Sequence, residues 1–82
     1  MKIEVFGTGC SKCNMLEANV RKALTSLGVQ ADVVKVRDVG QMIDRGLMVT
    51  PALAIDGEIV VAGRVASVGE LIELISSRRP KA

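Results

Sequence analysis

The two cysteines, Cys10 and Cys13, are separated by two residues and are the side chains best suited to covalent chemistry. A thiolate can attack a disulfide or bind a soft metal ion, and a Cys-x-x-Cys spacing is used for both. Three interpretations are therefore open: a redox dithiol, a metal or soft-ion site, and two inert cysteines. In a reducing compartment the spacing favours a catalytic or metal-binding pair over a structural disulfide.

The position of the pair predicts unequal roles for the two thiols. Cys10 follows a strand-like run and lies where a helix begins, so unpaired N–H groups and the helix dipole favour its thiolate. Lys12 adds a nearby positive charge, although its side chain can equally point to water. Cys13 lies one helical turn later, within reach of a disulfide with Cys10 and more buried behind it. This arrangement suits a nucleophile and a resolving thiol.

The composition limits which metal ions the chain could bind. The chain has no histidine and no second cysteine pair, so a structural zinc site would need carboxylates or a second subunit. Two thiolates could hold copper(I), as in small metal-chaperone domains, but those domains have a βαββαβ order. This chain is predicted to end in a helix after a hairpin, which is a different order.

Hydrophobic periodicity predicts the elements that would position the cysteines. The residues before Cys10 alternate as a strand over 2–6, and apolar side chains then repeat at helical spacing over 11–27, where Gly28 closes the helix. A β-branched strand follows over 29–36 and would run parallel to the first strand across the helix. The first half of the chain therefore predicts a right-handed βαβ unit.

The second half predicts a short helix, a hairpin and a last helix, which makes the complete order βαβαββα. Asp38 is placed to cap the short helix, whose buried residues would be Met42 and Ile43. Asp56-Gly57 is a strong two-residue hairpin signal. The elements are a helix closed by Gly46, strands over 52–55 and 59–62, and a helix that begins with the Ser67/Glu70 capping box and ends near Ser77.

A proline opens the strand over 52–55, where its missing N–H would normally exclude it. A cis Thr50–Pro51 bond would turn the chain and bring the backbone of Thr50 beside the cysteines, where it can pair with an extended substrate segment. The alternative is a trans proline in a plain loop before an edge strand. The cis hypothesis favours a redox dithiol.

Three segments, over 7–13, 50–53 and 63–67, together resemble the small thioredoxin-like proteins that are often called redox-active disulfide proteins. They read Gly-Thr-Gly-Cys-Ser-Lys-Cys, Thr-Pro-Ala-Leu and Gly-Arg-Val-Ala-Ser, and the resemblance covers nearly the whole chain. It implies a compact, glutaredoxin-sized thioredoxin fold without the extra N-terminal strand and helix. The implied architecture is a four-stranded mixed sheet with helices on both faces.

The resemblance also implies roles for residues and partners. Cys10 takes the attacking position, Cys13 the resolving position and Pro51 the cis-proline position of a thiol–disulfide oxidoreductase that needs no bound cofactor. The implied partners are disulfide-bearing protein substrates and a thioredoxin-reductase-like or glutathione-based electron donor. The cysteine motif departs from the Trp-Cys-Gly-Pro-Cys of ordinary thioredoxins and the Cys-Pro-Tyr-Cys of glutaredoxins. A thiolate-based binder of soft-metal or arsenic-type ions and a glutathione-dependent glutaredoxin are the alternatives.

Four further residues are candidates for tuning the site. Glu4 stands six residues before the first cysteine, a spacing at which thioredoxins place a buried carboxylate, and it is a candidate proton acceptor for Cys13. Lys35 is similar to a lysine that thioredoxins set near that carboxylate. Gly63 and Arg64 would lie near the cysteine end of the sheet, where glutaredoxins hold the carboxylates of glutathione. The alternatives are a solvent-exposed Glu4 and a solvated or locally paired Arg64.

Length and composition predict one small domain. Eighty-two residues with 49% apolar content leave room for a single core. We expect this domain over residues 1–77 and a basic tail over 78–82. The tail holds Arg78, Arg79 and Lys81. The rest of the chain holds the other eight basic side chains and all nine acidic ones. The formal charge of +2 therefore belongs to the tail.

The composition also argues against nucleic acid and membrane partners. Phe6 is the one aromatic residue, so the stacking platforms of single-strand binders are missing. Strand-like alternation begins at Lys2 without the apolar region of about 7–15 residues that a secretory signal needs. The apolar runs are too short to span a bilayer. We therefore expect a soluble, cytoplasmic protein.

Overall fold

The elements of the computed structural model follow the predicted βαβαββα order. The structure describes residues 1–8 and 11–78; Cys10, the predicted nucleophile, and residues 79–82 of the predicted tail lie outside the described residues. The strands are β1 (Lys2–Phe6), β2 (Asp32–Val36), β3 (Ala52–Ile55) and β4 (Glu58–Ala62), and the helices are α1 (Ser11–Leu27), α2 (Val39–Asp44) and α3 (Val68–Arg78).

β1 is a central strand of a four-stranded mixed sheet with the order β2-β1-β3-β4. It runs parallel to β2, with Phe6 opposite Val36, and antiparallel to β3, with Phe6 also opposite Ala52. β3 and β4 form the hairpin that turns at Asp56 and Gly57, where the φ angles are 49° and 89°. Two positive φ angles are what a two-residue type I′ turn requires. The predicted hairpin is therefore confirmed.

Helices cover both faces of the sheet, α1 and α3 on one and α2 on the other. Because side chains alternate along a strand, the odd-numbered residues of β1 face α1 and the even-numbered residues face α2. The cluster on the α1 face is the larger of the two. It includes Ile3, Val5, Leu16, Val20, Leu53, Ile55, Leu71 and Ile75, whereas the α2 face buries Phe6, Val36, Met42, Leu47, Ala52 and Ala54.

The end of α1 determines where β2 begins. Gly28 has a φ of 66°, and its N–H donates to the carbonyl of Thr25 at 3.2 Å. The N–H of Val29 donates to the carbonyl of Leu24 at 3.1 Å. This pair of hydrogen bonds is the Schellman ending of a helix and uses Val29 as part of the cap. For this reason β2 begins at Asp32 and not at residue 29 as predicted.

α2 is capped as predicted but buries less than predicted. The Oδ1 atom of Asp38 accepts a hydrogen bond from the N–H of Gly40 at 2.8 Å, which confirms the cap. Met42 is buried, whereas Ile43 is 67% exposed, so the predicted burial of Ile43 is wrong. In a helix of six residues, Met42 alone fills the buried position.

α3 extends one residue further than predicted. Arg78, which the sequence places in the tail, is helical, and its Nη2 atom lies 2.7 Å from Oε2 of Glu58. This ion pair ties the end of α3 to the edge strand β4.

None of the described helices has both the length and the apolar composition needed to cross a membrane.

Candidate active site

Three of the predicted site residues, Cys13, Pro51 and Gly63, lie around the carboxyl end of β1. Gly7 continues the pairing of β1 with β2, because its N–H donates to the carbonyl of Val36 at 3.0 Å. On the other side, the register that pairs Phe6 with Ala52 places Pro51 next to Gly7. The segment after β1, the end of β2 and the segment before β3 therefore lie at one end of the sheet.

Pro51 lies between this end of β1 and the end of β4. It is buried and its peptide bond with the exposed Thr50 is cis, the isomer that the sequence predicts. The carbonyl of Pro51 accepts a hydrogen bond from the N–H of Gly63 at 2.8 Å. Gly63 has a φ of 78°, and a Cβ atom there would lie 3.1 Å from Cγ2 of Val49. Gly63 thus packs closely against the segment that carries Pro51.

Cys13 is the third residue of α1 and is 6% exposed. Its neighbour Lys12 is exposed. A cavity of about 10 Å³, close to the space that one water molecule needs, lies beside Cys13. Two of its lining residues are basic. The lining residues are Val5, Gly7, Cys13, Asn14, Lys35 and Arg37.

The charged residues on this face of the sheet belong to α1 and β2, except for Arg37, which follows β2. Lys35 binds Glu17, with 2.8 Å between Nζ and Oε1, and Arg21 binds the other oxygen of Glu17 at 2.9 Å. The hydrogen bond from Lys35 is the main reason that the pKa of Glu17 is lowered; partial desolvation opposes it and Arg21 adds to it. Arg37 makes no ion pair with any residue in the described ranges. Of the two basic side chains that line the cavity, Lys35 is therefore ion-paired, whereas Arg37 has no ion pair within the described residues.

Glu4 is buried, but on the α2 face of the sheet. Its two carboxylate oxygens each accept a hydrogen bond from Nη1 of Arg45 at 3.1 Å. Nη2 of Arg45 donates to the carbonyl of Gly57 at 3.1 Å, and the guanidinium carbon lies 5.3 Å from the centroid of the Phe6 ring. Through Arg45, Glu4 therefore connects β1 with the end of α2 and with the hairpin.

The expectation that the side chains of Glu4 and Lys35 lie close together is wrong. Glu4 lies opposite Val34 and Lys35 opposite Val5, so the two side chains leave the sheet on opposite faces. Glu4 also points away from α1, the helix that carries Cys13. The structure therefore does not bring the candidate proton acceptor to Cys13, because a six-residue spacing does not specify which face of β1 the helix covers.

Arg64 is paired locally. Both of its Nη atoms donate to the carboxylate of Glu70, with 2.6 Å between Nη1 and Oε1. This hydrogen bonding lowers the pKa of Glu70. The N–H of Glu70 donates to Oγ of Ser67 at 3.2 Å, so half of the predicted capping box forms while the carboxylate turns to Arg64. The locally paired alternative is the one that the structure shows.

Glu17 and Arg45 are not among the residues that the sequence predicts for the site. Glu17 could have been found, because it lies four residues after Cys13 and therefore on the same face of α1. Arg45 follows α2 and reaches Glu4 across 41 positions of the chain, and no local pattern indicates this pairing.

Comparison with known proteins identifies the family. A family model described as a thioredoxin domain matches residues 1–76. The chain belongs to the thioredoxin family. Thioredoxins from Methanothermobacter thermautotrophicus and Methanocaldococcus jannaschii are each 45% identical to it. The matches cover 93% of this chain and 99% of the first relative, and 92% of this chain and 86% of the second.

The solved structure of thioredoxin 1 from Thermosipho africanus superposes with a TM-score of 0.65 at 21% identity, and the match covers 94% of this chain and 92% of that chain. This likeness confirms the predicted thioredoxin fold. The curated relatives and the family model establish this thioredoxin-family protein as a thiol–disulfide oxidoreductase. The predicted family resemblance and enzyme class are therefore confirmed.

Proposed function

We propose that this thioredoxin-family protein reduces or exchanges disulfides in protein or small-molecule substrates with a dithiol formed by Cys10 and Cys13. The supporting observation is the placement of Cys13. It is buried in the first turn of α1, beside the end of a central strand and next to the cationic wall formed by Lys35 and Arg37. A buried thiol beside positive charge suits the resolving role.

The proposed reaction has two exchange steps. The Cys10 thiolate attacks one sulfur of the substrate disulfide, a mixed disulfide forms, and the other substrate sulfur leaves as a thiolate that takes up a proton. The Cys13 sulfur then loses its proton and attacks the Cys10 sulfur, which releases the second substrate thiol. The substrate disulfide gains two electrons, and the protein is left with a Cys10–Cys13 disulfide.

The surrounding residues support these steps in the proposal. Lys12 is exposed beside the cysteine pair and adds positive charge where Cys10 becomes a thiolate. Thr50 and Pro51, at the same end of the sheet, supply main-chain surface for an extended substrate segment. The electrons reside in the cysteine pair, so the reaction needs no bound cofactor; a thioredoxin-reductase-like or glutathione-based donor would return the pair to the dithiol.

Reduction of insulin disulfides tests this function and its electron donor together. We expect turnover with either thioredoxin reductase and NADPH or glutathione and its reductase, and the arm that works identifies the donor. Cys10→Ser should abolish turnover, and Cys13→Ser should accumulate a mixed disulfide at Cys10. Absence of turnover in both arms, with dithiothreitol-reduced protein also inactive, would contradict the proposal.

A soft-ion binder would use the same thiolates. Among residues 1–8 and 11–78, no group of three or more histidine, cysteine, aspartate or glutamate side chains is arranged to hold a metal ion. Stoichiometric metal or arsenic after purification under reducing conditions, without insulin reduction, would favour that alternative.

A further inference from the structure

Gly7 and Cys13 approach each other more closely than a side chain at position 7 would permit. An ideal Cβ atom at Gly7 would lie 2.0 Å from Sγ and 3.0 Å from Cβ of Cys13. Carbon and sulfur atoms in van der Waals contact are much further apart, so the sulfur occupies the space where a side chain would begin. Gly7 is buried, and its N–H is fixed on the carbonyl of Val36.

The backbone conformation does not explain this glycine. Gly28, Gly46, Gly57 and Gly63 have positive φ angles, whereas Gly7 does not. A φ outside the positive region is accessible to alanine, so the contact with Cys13 is the observed feature that excludes a larger residue at position 7.

We propose that Gly7 is the positioning residue for the resolving thiol: it lets the Cys13 sulfur lie against the main chain just after β1. The inference rests on the proposed function, because it concerns the step in which Cys13 attacks the mixed disulfide at Cys10. α1 fixes the backbone of Cys13, and the absence of a side chain at Gly7 leaves the space that the Sγ atom occupies. An attacking sulfur must be aligned with the bond that it breaks, so a displaced Sγ slows this step specifically.

Stoichiometric reaction of the reduced protein with 5,5′-dithiobis(2-nitrobenzoate) separates the two steps. Attack by Cys10 releases the first thionitrobenzoate, and resolution by Cys13 releases the second. In Gly7→Ala we expect the first release to be unchanged and the second to slow by roughly 10–100-fold, since a displacement of about 1 Å can cost about 100-fold. Gly69→Ala is the matched control, because a Cβ atom at Gly69 would have only an ordinary contact at 4.0 Å.

Each outcome is decisive. A second release as fast in Gly7→Ala as in Gly69→Ala would overturn the role of Gly7 while leaving the proposed function intact. Wild-type protein that releases only one thionitrobenzoate per molecule would overturn the proposed function itself, and this inference with it.

The unfolding free energy gives a second test that does not depend on activity. The Cys13→Ala substitution removes Sγ, the atom that a Cβ at position 7 would contact most closely. In urea titrations of reduced protein, Gly7→Ala should therefore lower the unfolding free energy more in the wild-type background than in the Cys13→Ala background. If Gly7→Ala alone does not fold, a folded double variant supports the proposal. Equal destabilisation in both backgrounds, or a double variant that also fails to fold, would overturn it.

Discussion

Glu17 of α1 and Lys35 of β2 form an ion pair, with 2.8 Å between Oε1 and Nζ, on the sheet face that also carries Cys13. The pair links the cysteine helix to the edge strand. Lys35 lowers the pKa of Glu17 from its ordinary value of 4.5. A carboxyl whose pKa is lowered by folding contributes stability above its unfolded pKa, and the contribution is lost as the pH falls through the folded pKa.

Lys35→Met should therefore reduce the unfolding free energy near neutral pH by less than about 1 kcal/mol, because the pair is partly solvated. The difference from the wild-type protein should shrink as the pH falls below 4.5, where Glu17 becomes protonated in the unfolded and then in the folded state. Urea unfolding of reduced protein across this range measures the difference. Lys22→Met is the control, since Lys22 forms no ion pair within the described part of the chain. A difference that does not change with pH would contradict this role of the pair.

Glu4→Gln separates a structural role from a catalytic one. Loss of a general base would slow resolution of the mixed disulfide by about 10²–10⁴-fold. Because Glu4 binds Arg45 on the face away from α1, we expect resolution to be unchanged and the unfolding free energy to fall by about 1–2 kcal/mol through the weakened hydrogen bonds. Glu73→Gln, at an exposed position of α3, is the control. A slowing of about 100-fold or more in Glu4→Gln would restore Glu4 as the proton acceptor.

Local signals in the sequence predicted most of the fold. α1 has five buried residues at helical spacing and a glycine after its last turn, and the approximate range predicted for it, 11–27, agrees with the structure. Asp38 and the Asp56-Gly57 turn likewise act through hydrogen bonds and φ angles within a few residues of themselves. Such features need no knowledge of the tertiary structure.

Features that depend on the faces of the sheet were not predictable in the same way. The alternation in β1 shows that Glu4 and Val5 point in opposite directions, but it does not show which of them faces α1. The pairing of Glu4 with Arg45 and the contact between Gly7 and Cys13 depend on packing between elements. In the sequence alone, a glycine before a cysteine pair indicates only a flexible connection.

Gly63→Ala should impair both stability and activity. Alanine at a positive φ costs about 1–2 kcal/mol, and its Cβ atom would also press on Val49, next to the Thr50–Pro51 segment. Gly28→Ala is a matched control, because Gly28 also has a positive φ but a Cβ atom there would meet nothing within 4 Å. We expect both variants to lose stability in urea titrations, and only Gly63→Ala to lose insulin reduction at a temperature where both are folded. Equal activity in the two variants would show that Gly63 acts only through backbone strain.

A redox titration shows whether Cys10 and Cys13 form one reversible redox pair. The protein is equilibrated in thiol–disulfide buffers between about −120 and −300 mV, trapped with iodoacetamide and analysed by mass spectrometry. We predict a single two-electron transition between a doubly alkylated form and an unalkylated form, with both labels lost together. A ratio of the two forms that stays constant across this range would show that Cys10 and Cys13 do not form a redox pair.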